Sequence, residues 1–519
     1  MKRRRDTHPS LGQEKFAYPG RWFRTLSLAI WQELLGLLFL LLAPFAFSVG
    51  NGFVLVSKAA AGASPTPSFI GDNEEKSPTP SPAPVSQLAS PTPSENPARR
   101  VELRLHGSNT IGKELGPSLV EAMLKDLGAT SIQRHPGAKE DETDVDALLP
   151  EEPDRKITFE IQAHGSGTAF EDLAAGKCDI GMASRQIKPE EAQKCATAGL
   201  GDMFSPACEN VLGLDGIAVL VNHSNPVDSL TKQQIADIFT GKISDWSQVP
   251  GGSPGAVHLY RRDDKSGTFD TFKSLVLGGA PIPQSAAQYE DSEKLSDTVA
   301  NDPNGIGFTG LPFVRSAKAL AVSESGSSPL LPTPFTVSTE DYPISRRLYF
   351  YIPATTQNKW TRRFVEFALS AIGQSVVGSS GFISQTVEKT KPELPKEASR
   401  TYVKQTSGAF RLNLDFRFNK GVSQLDNKAL RDLDRVIQFL AKQGNEGKEL
   451  VLLGFADNTG TKAGNLTLSK ERANAVADKL KARGIKPTLV TGYGQELPVA
   501  SNETEPGREK NRRVEVWIR

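Results

Sequence analysis

The chain has little cysteine. Its three cysteines in 519 residues are Cys178, Cys195 and Cys208, and they form no CxxC pair. An odd number of thiols cannot pair completely within one chain. Two alternatives stay open. Either Cys195 and Cys208 form a disulfide in an oxidising compartment, or all three cysteines are buried thiols. Together with the six histidines, these cysteines show no metal-ligand spacing, which argues against a zinc site.

Other kinds of chemistry are also missing from the sequence. The formal net charge is only +1, so no excess of either sign indicates nucleic acid or an acidic surface as a partner. No GxxxxGK[ST] phosphate loop occurs, which argues against ATP use. Neither Ser166 nor Ser266 lies in a G-x-S-x-G motif, and no S-x-x-K site has its β-lactamase partners. His164 is a candidate base beside Ser166, but strand-end histidines are usually structural. We therefore predict that the protein is not an enzyme and has no cofactor and no metal.

The N-terminus predicts a location in the cell envelope. Residues 1–25 form a basic leader, and residues 26–58 contain the apolar run LLGLLFLLLAPFAFSVGNGFVLV. This run reaches the roughly 20 residues needed to cross a bilayer, and the basic flank keeps its N-terminal end cytoplasmic. A retained transmembrane helix and a cleaved signal peptide are the alternatives, and the long leader favours the retained helix. No cysteine lies nearby, which excludes lipoprotein anchoring.

Composition divides the rest of the chain into domains and linkers. Residues 59–100 are rich in Pro, Ser and Thr and form a spacer, because such a sequence cannot bury a core. From 101 to 383, short apolar strands alternate with helical stretches, as in α/β folds. Within that domain, 136–156 is interpreted as an exposed acidic insertion. Residues 384–409 form a second linker, and 410–519 show the order strand, helix, strand, helix, strand of an α+β domain.

The middle domain contains one kind of turn three times. The phrases are HGSNTIG (106–112), HGSGTAF (164–170) and KSGTFDTF (265–272). All three lead into helical sequence, so backbone N–H groups and hydroxyls point outward at a helix start, where negative charge is favoured. Ligands of open α/β sheets bind in the crevice at the strand ends. One such turn usually only connects elements, but three of them predict an oxyanion site.

An arginine precedes the third turn by four residues. The guanidinium fork of Arg262 matches a tetrahedral oxyanion in a way that lysine cannot. We expect Asp264 to hold this guanidinium in position. A salt-bridged surface loop is the alternative interpretation of YRRDDKSGTF (260–269).

The order of motifs gives the middle domain a family resemblance. The motifs are the Gly-Ser-x-Thr opening at 107–110, GSGT at 165–168, CDIGMASR at 178–185, LTKQQIADIFTGKISDW at 230–246, RDDKSGT at 262–268, NGIGF at 304–308 and YPISRRLYFYI at 342–352. Over 101–383 they resemble the periplasmic phosphate-binding proteins of ABC transporters. The resemblance implies a two-lobed periplasmic-binding-protein fold of type II, whose α/β lobes close around an anion at a hinge.

The resemblance also implies which residues bind the anion. They come from the three turns, from the end of CDIGMASR and from the arginine, namely Ser108, Thr110, Ile111, Ser166, Gly167, Thr168, Ser184, Arg185, Arg262, Ser266, Gly267 and Thr268. One position departs from the family, because Arg185 stands where well-known members have an aspartate that accepts the proton of hydrogen phosphate and repels sulfate. Without that acceptor the site should favour a more highly charged anion or select less strictly against sulfate, unless Asp263 or another acid substitutes.

A second set of motifs lies at the C-terminus. GFADNTGTKAGNLTLSKERANAVADKLKARGI (454–485) and the later NRRVEVWI resemble the OmpA-like peptidoglycan-binding domain. The resemblance implies that the wall peptide is bound by Asp457, Asn465, Leu468 and Arg472. A carboxylate and a guanidinium are what the zwitterionic end of diaminopimelate requires. A turn cap for Asp457 and a surface ion pair for Arg472 are the alternatives, and the family's usual Gly-His-Thr-Asp reads Gly-Phe-Ala-Asp here, which allows an altered ligand preference.

These features predict a three-part envelope protein with a membrane anchor, a two-lobed anion-binding domain and a wall-binding domain. The expected partners are inorganic phosphate or a related oxyanion, peptidoglycan through diaminopimelate, an ABC permease and the inner membrane, but no nucleic acid. The alternative is an envelope sensor or structural tether whose middle lobes no longer carry a transported solute.

Overall fold

The computed structural model describes residues 100–264, 266–418 and 424–519. The predicted leader, anchor and first linker lie outside these residues, apart from Arg100. In the part of the chain that the structure describes, no helix is both long and apolar enough to cross a membrane.

The first lobe alternates strands and helices, as the sequence pattern predicts. Its elements in chain order are β1 (Arg100–Gly107), α1 (Asn109–Gly112), α2 (Leu115–Asp126), β2 (Thr130–Pro136), β3 (Glu142–Leu149), β4 (Glu152–Gln162), α3 (Ser166–Ala174), β5 (Ile180–Ala183) and α4 (Pro189–Thr197). Strand β6 (Glu209–Val221) then crosses to the second lobe.

The second lobe continues this alternation before the chain returns to the first. Its elements are β7 (Ser229–Thr231), α5 (Lys232–Phe239), β8 (His258–Arg262), α6 (Gly267–Leu275), β9 (Ala287–Tyr289), α7 (Ser292–Asn301), β10 (Gly305–Gly310), β11 (Lys318–Ala319), β12 (Ala321–Ser323) and α8 (Pro334–Ser338), with short 3-10 turns at Trp246–Gln248 and Leu311–Phe313. The return runs through β13 (Ser345–Tyr351), α9 (Lys359–Leu369) and α10 (Ala371–Ser379).

The C-terminal domain has the predicted alternation of strands and helices. Its elements are β14 (Lys389–Thr390), α11 (Arg400–Thr406), β15 (Phe410–Arg417), α12 (Asn427–Leu440), β16 (Leu450–Gly454), α13 (Lys462–Lys481), β17 (Leu489–Gly492), α14 (Glu505–Asn511) and β18 (Arg513–Ile518). Strand β14 and helix α11 lie within the predicted second linker and extend this domain, because β14 pairs with β15.

A single large sheet carries both lobes. Within the described residues its strand order is β2-β3-β4-β1-β5-β13-β6-β10-β8-β9, with β11 also pairing with β6. The first half of β6 pairs with β13 and the second half with β10. Every residue of β6 is buried. Since each lobe also has its own hydrophobic core, β6 and β13 form the connection about which the lobes can move as bodies.

The segment 136–156 is not the exposed acidic insertion that the sequence predicted. Strand β3 lies within it and pairs with β2 on one side and β4 on the other. Val145 is fully buried, and the neighbouring Asp146 is buried where it accepts hydrogen bonds from Thr158 and His135, each at 2.7 Å. The prediction was wrong because it rested on the number of acidic residues. It overlooked the apolar residues at alternate positions, which fit a strand with one buried face.

All three cysteines are buried and carry free thiols. Cys195 and Cys208 belong to the same small core cluster as Cys178. Burial raises the pKa of each thiol, which keeps the sulfur protonated and unreactive. The structure therefore has the second of the two alternatives, three buried thiols.

Candidate functional site

The first two turns of the first lobe are hydrogen-bonded to each other. The amide of Gly165 donates to the carbonyl of Gly107 at 2.7 Å, and the amide of Ser108 donates to Met182 at 2.8 Å. Gly107 has a φ of +135°, and a Cβ there would lie 2.1 Å from the Met182 carbonyl oxygen. Only glycine fits this approach, so the turn that starts α1 is held tightly against β5. Ser108 and Ile111 are both buried within the turn.

The second turn joins the end of β5 through a pair of serines. The hydroxyl oxygens of Ser166 and Ser184 lie 3.2 Å apart, and the Ser184 amide donates to Ser166 at 3.0 Å. Thr168 directs its hydroxyl back to the Gly165 carbonyl at 2.9 Å, while Gly167 is exposed. Ser166 and Ser184 therefore act together, whereas Thr168 mainly closes its own turn.

The third turn comes from the second lobe and meets the first turn directly. Ser266 caps α6, and Gly267 begins it. A Cβ on Gly267 would lie 2.2 Å from the Thr110 hydroxyl oxygen and 2.9 Å from the Thr110 Cα. The two lobes thus touch at this point, and the N-terminal turn of α6, whose first amides have no partner within the helix, faces the first lobe.

An arginine that the sequence did not single out lies among these turns. Arg346 of β13 donates to the Thr110 hydroxyl at 2.7 Å, to the Ser184 hydroxyl at 2.9 Å and to the Gly267 carbonyl at 3.1 Å. Asp215 of β6 pairs with its guanidinium at 3.3 Å. Burial lowers the pKa of Arg346 despite this carboxylate. Arg346 therefore links the first and third turns directly and reaches the second turn through Ser184, which bonds to Ser166.

Arg262 is held by a different partner from the predicted one. Its Nε donates to the Tyr289 carbonyl at 3.2 Å, its Nη1 contacts the Ser292 hydroxyl, and Asp263 lies 3.4 Å from Nη2. Asp264 instead pairs with Arg261 at 2.7 Å. The expectation that Asp264 positions Arg262 was wrong, because the two arginines at the end of β8 point to opposite faces of the strand.

Arg185 is engaged outside the cluster formed by the three turns. Both of its terminal nitrogens bond to the carboxylate of Glu191, at 2.7 and 2.8 Å, and its guanidinium lies over the ring of Phe170 at 5.3 Å. Burial raises the pKa of Glu191, but the paired Arg185 outweighs it and holds that pKa below its usual value. A role for Arg185 in anion binding stays a prediction.

A cavity of about 510 Å³ lies where the third turn faces the first. Five of the predicted residues line it, namely Thr110, Arg262, Ser266, Gly267 and Thr268. Ser166 and Ser184 connect to it through Arg346. Carboxylates surround the cavity as well, including Asp215, Glu114 and Glu290. Since cations do not predominate, an anion here has to be held by directed hydrogen bonds from the guanidinium, hydroxyl and amide groups.

A histidine fastens the first two turns to the sheet below them. His106 of β1 is buried, with Nδ1 at 2.9 Å from Asp172 and Nε2 at 3.2 Å from Glu160. Burial by itself lowers the pKa of His106, but its hydrogen bonds to the two carboxylates outweigh burial and hold the pKa above its usual value.

This histidine predicts a loss of stability at high pH. A group whose pKa is raised on folding stabilises the fold fully below its unfolded pKa of about 6.5 and loses that contribution as the pH rises through the folded value. We expect the free energy of unfolding in urea to fall as the pH rises above about 6.5, and to fall less in His106→Gln, whose side chain does not titrate. An equal decline in both proteins would contradict the assignment.

The C-terminal domain holds Asp457 with a second arginine. Asp457 follows β16, accepts from the Arg512 guanidinium at 2.9 Å and accepts from the Thr459 amide at 3.0 Å. Burial raises the pKa of Asp457, but hydrogen bonds from the Thr459 hydroxyl and amide and from Arg512 outweigh it and hold that pKa below its usual value. The sequence motif contained Arg512, but nothing local indicated that it would pair with Asp457 across 55 positions of the chain.

Arg472 of α13 has donors without partners. It is 5% exposed, and within the described part of the chain its Nε and Nη1 make no hydrogen bond. Its guanidinium lies over the Phe418 ring at 5.6 Å. Burial, together with repulsion from Arg512, lowers the pKa of Arg472 to about 10. A buried cation with open donors is suited to receive a carboxylate.

The two other predicted residues precede this arginine on α13, by seven and four positions. Asn465 is buried and donates to Gln495 at 2.9 Å, while Leu468 is half-buried. Asp457 and Arg472 are brought together by their common neighbour Arg512, which pairs with the first and repels the second. The predicted carboxylate of Asp457 and the predicted guanidinium of Arg472 therefore lie in the same region of the domain.

A larger cavity, of about 1200 Å³, lies between the C-terminal domain and the second lobe. None of the predicted ligands of either site lines it. Its buried charges pair with one another, as Arg411 does with Asp341 at 3.2 Å and Arg513 with Glu515 at 2.8 Å. These buried charges balance one another, whereas the exposed lining residues Glu388, Lys391 and Glu393 add one net negative charge.

Comparisons with known proteins match two separate parts of the chain. Residues 141–371 match the PBP superfamily domain, and residues 417–512 match the OmpA family. Protein SphX of Synechococcus elongatus is 31% identical over 231 residues, which are 42% of this chain and 67% of that protein. The phosphate-binding protein PstS of Staphylococcus saprophyticus is 30% identical over 239 residues, which are 44% of this chain and 72% of that protein.

Some solved structures are similar to part of the chain. An ABC-type phosphate transport receptor from Vibrio cholerae has a TM-score of 0.42 at 22% identity and covers 54% of this chain and 99% of its own. A possible phosphate binding protein from Planctomyces limnophilus has a TM-score of 0.44 at 20% identity, with 60% and 98% covered.

Proposed function

Because the chain belongs to the family of phosphate-binding proteins and carries an OmpA family domain, we propose that it is a solute-binding protein of the cell envelope. It holds phosphate, or a similar oxyanion, between its two lobes and is tethered to peptidoglycan by its C-terminal domain. The observation that carries the proposal is one shared cavity, lined by Thr110 from the first lobe and by Arg262 and residues 266–268 from the second.

In this proposal each lobe contributes different donors to the anion. The second lobe supplies the Arg262 guanidinium, the Ser266 and Thr268 hydroxyls and the amides that begin α6. The first lobe supplies the Thr110 hydroxyl, which is free to donate because its oxygen accepts from Arg346. An anion that bonds to both sets holds the lobes closed.

The test is calorimetric titration of the purified full-length chain with phosphate and with sulfate. Phosphate is expected to bind with measurable heat. Flat traces for both anions would contradict the proposal and favour the alternative in which the lobes serve only as a sensor or tether. One observation favours that alternative, because the guanidinium of Arg346 is engaged by Thr110, Ser184 and Gly267 of the protein itself.

Asp215 is proposed to supply the proton acceptor that the family has, and this chain lacks, at the position of Arg185. Its carboxylate is buried and lines the cavity beside Arg346. A carboxylate repels an anion unless the anion offers it a proton, and phosphate near neutral pH does so whereas sulfate does not. Asp215 would therefore select phosphate.

Asp215→Asn is expected to narrow the preference for phosphate over sulfate about tenfold, because removing one like-charge repulsion is worth about 1.4 kcal/mol. The ratio of the two calorimetric dissociation constants measures it. The matched control is Asp141→Asn, since Asp141 also lines the cavity but pairs with Lys113, and its φ of +64° suits asparagine. An unchanged ratio in Asp215→Asn would show that another group selects the anion.

The C-terminal site is proposed to bind the peptide of the cell wall. Arg472 offers its unpartnered donors to a carboxylate, and Asp457 offers its oxygens to an ammonium group. The zwitterionic end of diaminopimelate carries both groups. An ABC permease and the inner membrane complete the proposed set of partners, the membrane through residues 26–58, which lie outside the described part of the chain.

A further inference from the structure

The C-terminal domain packs on the segment that leads into β13. Arg417 donates to the Thr339 carbonyl at 2.7 Å, and Lys510 donates to the Tyr342 carbonyl at 3.1 Å. Between these two contacts, Arg411 pairs with Asp341 at 3.2 Å. Residues 339–342 are thus bonded by cations of the C-terminal domain immediately before β13 begins at Ser345.

The first residues of β13 make this contact specific. Arg347 bonds to Glu340 through two nitrogens, at 2.8 and 2.9 Å, and to Asp426 of the C-terminal domain at 2.8 Å. The side chains of Arg347 and Asp426 are 14% and 16% exposed. An ion pair so well shielded from water responds strongly to loss of one partner.

Arg347 is the direct neighbour of Arg346, which bonds to two residues that line the anion cavity, Thr110 and Gly267. Consecutive residues of a strand point to opposite faces, so β13 directs Arg346 toward Thr110, Ser184 and Gly267 and directs Arg347 toward the C-terminal domain. Both residues lie in the part of β13 that pairs with β6, opposite Asp215 and Leu214. A displacement of this strand end moves both guanidinium groups together.

We propose that Asp426 positions Arg346 through Arg347, so that docking of the C-terminal domain sets the affinity of the two lobes for their anion. The effect on anion affinity rests on the proposed function. The effect on the position of Arg346 does not, because that position can be measured by itself. The C-terminal domain then has two roles. It positions Arg346 at the binding site, and it attaches the protein to the wall.

Asp426→Asn separates the charge of this residue from its structural role. Asp426 also caps α12, where its side chain accepts from the Ala429 amide at 2.7 Å. Asparagine caps helices as well as aspartate does, so the helix start is retained while the ion pair with Arg347 loses its charge. Asp434→Asn is the matched control, because Asp434 lies on the same helix and is exposed. Among the residues that the structure describes, its ion pair is with Arg483, which is not part of the Arg347 contact.

Two measurements on the full-length protein test the proposal. The first is the Nε–Hε resonance of Arg346 in protein labelled at arginine, identified by its loss in Arg346→Lys. The second is the calorimetric dissociation constant for phosphate. We expect Asp426→Asn to shift the resonance and to weaken phosphate binding about fivefold to tenfold, and Asp434→Asn to do neither.

The outcomes distinguish this proposal from the proposed function. An Arg346 resonance that stays in place in Asp426→Asn would overturn the positioning role whether or not phosphate binds. A flat phosphate trace in the unmodified protein would instead overturn the proposed function, while the resonance still decides the positioning role. If Asp426→Asn does not fold, Arg347→Lys takes its place, since lysine keeps the charge but cannot bridge Glu340 and Asp426 as the guanidinium fork does.

Discussion

Arg262→Ala is expected to raise the dissociation constant for phosphate about a hundredfold. The Arg262 guanidinium lines the cavity between the lobes and is held there by the Tyr289 carbonyl and the Ser292 hydroxyl. Hydrogen bonds to charged groups contribute about 1.5–3 kcal/mol each, so losing a forked contact removes about two factors of ten in affinity. Calorimetric titration with phosphate measures the change.

Arg261→Ala is the matched control for this prediction. Arg261 is adjacent in β8 and carries the same charge, but it pairs with Asp264 and does not line the cavity. We expect its dissociation constant to stay within about twofold of the unmodified value, because it makes no direct contact with the anion. Equal losses in the two variants would mean that overall charge, and not the position of Arg262, controls binding.

Arg472→Met is expected to release the protein from the cell wall, with an affinity for peptidoglycan lowered about a hundredfold. Methionine keeps the length and apolar stem of the side chain but removes the unpartnered Nε and Nη1 donors. The carboxylate of the wall peptide then loses its charged partner. Co-sedimentation with purified cell-wall sacculi measures the retained fraction.

The same variant is expected to unfold at a temperature no lower than the unmodified protein. Arg472 is a buried cation repelled by Arg512, so removing its charge relieves a cost of folding. Loss of wall binding without loss of stability identifies a binding residue. Arg483→Ala, at an exposed position after α13, is the control and should still sediment with the wall. Wall binding retained by Arg472→Met would exclude the proposed site.

Short-range features of the sequence predicted much of the fold and part of the lining of the proposed anion site. Each of the three turns combines glycine, serine or threonine with a helix start, and these preferences act over a few residues. Strand ends that share one edge of a sheet bring such turns together. This is why Thr110, Arg262 and residues 266–268 line one cavity.

No local pattern in the sequence indicated the other residues at the proposed anion site. Arg346 and Arg347 are identical neighbours in YPISRRLYFYI, and only the pairing of β13 with β6 decides which of them faces the crevice. Asp215 lies in an almost wholly apolar strand that gave no sign of a binding role. Arg185 found its partner in Glu191 on the next helix, whereas its neighbour Ser184 contacts Arg346.

Composition, periodicity and turn chemistry are properties of neighbouring residues, so the order of domains, the alternation of strands and helices and the three turns followed from the chain itself. The burial of β3, the pairing of Asp457 with Arg512 and the docking of Asp426 on Arg347 were decided only by packing. The last two of these contacts join residues far apart in the chain. Their energies depend on burial and mutual orientation, which do not exist until the lobes and the C-terminal domain have folded against one another.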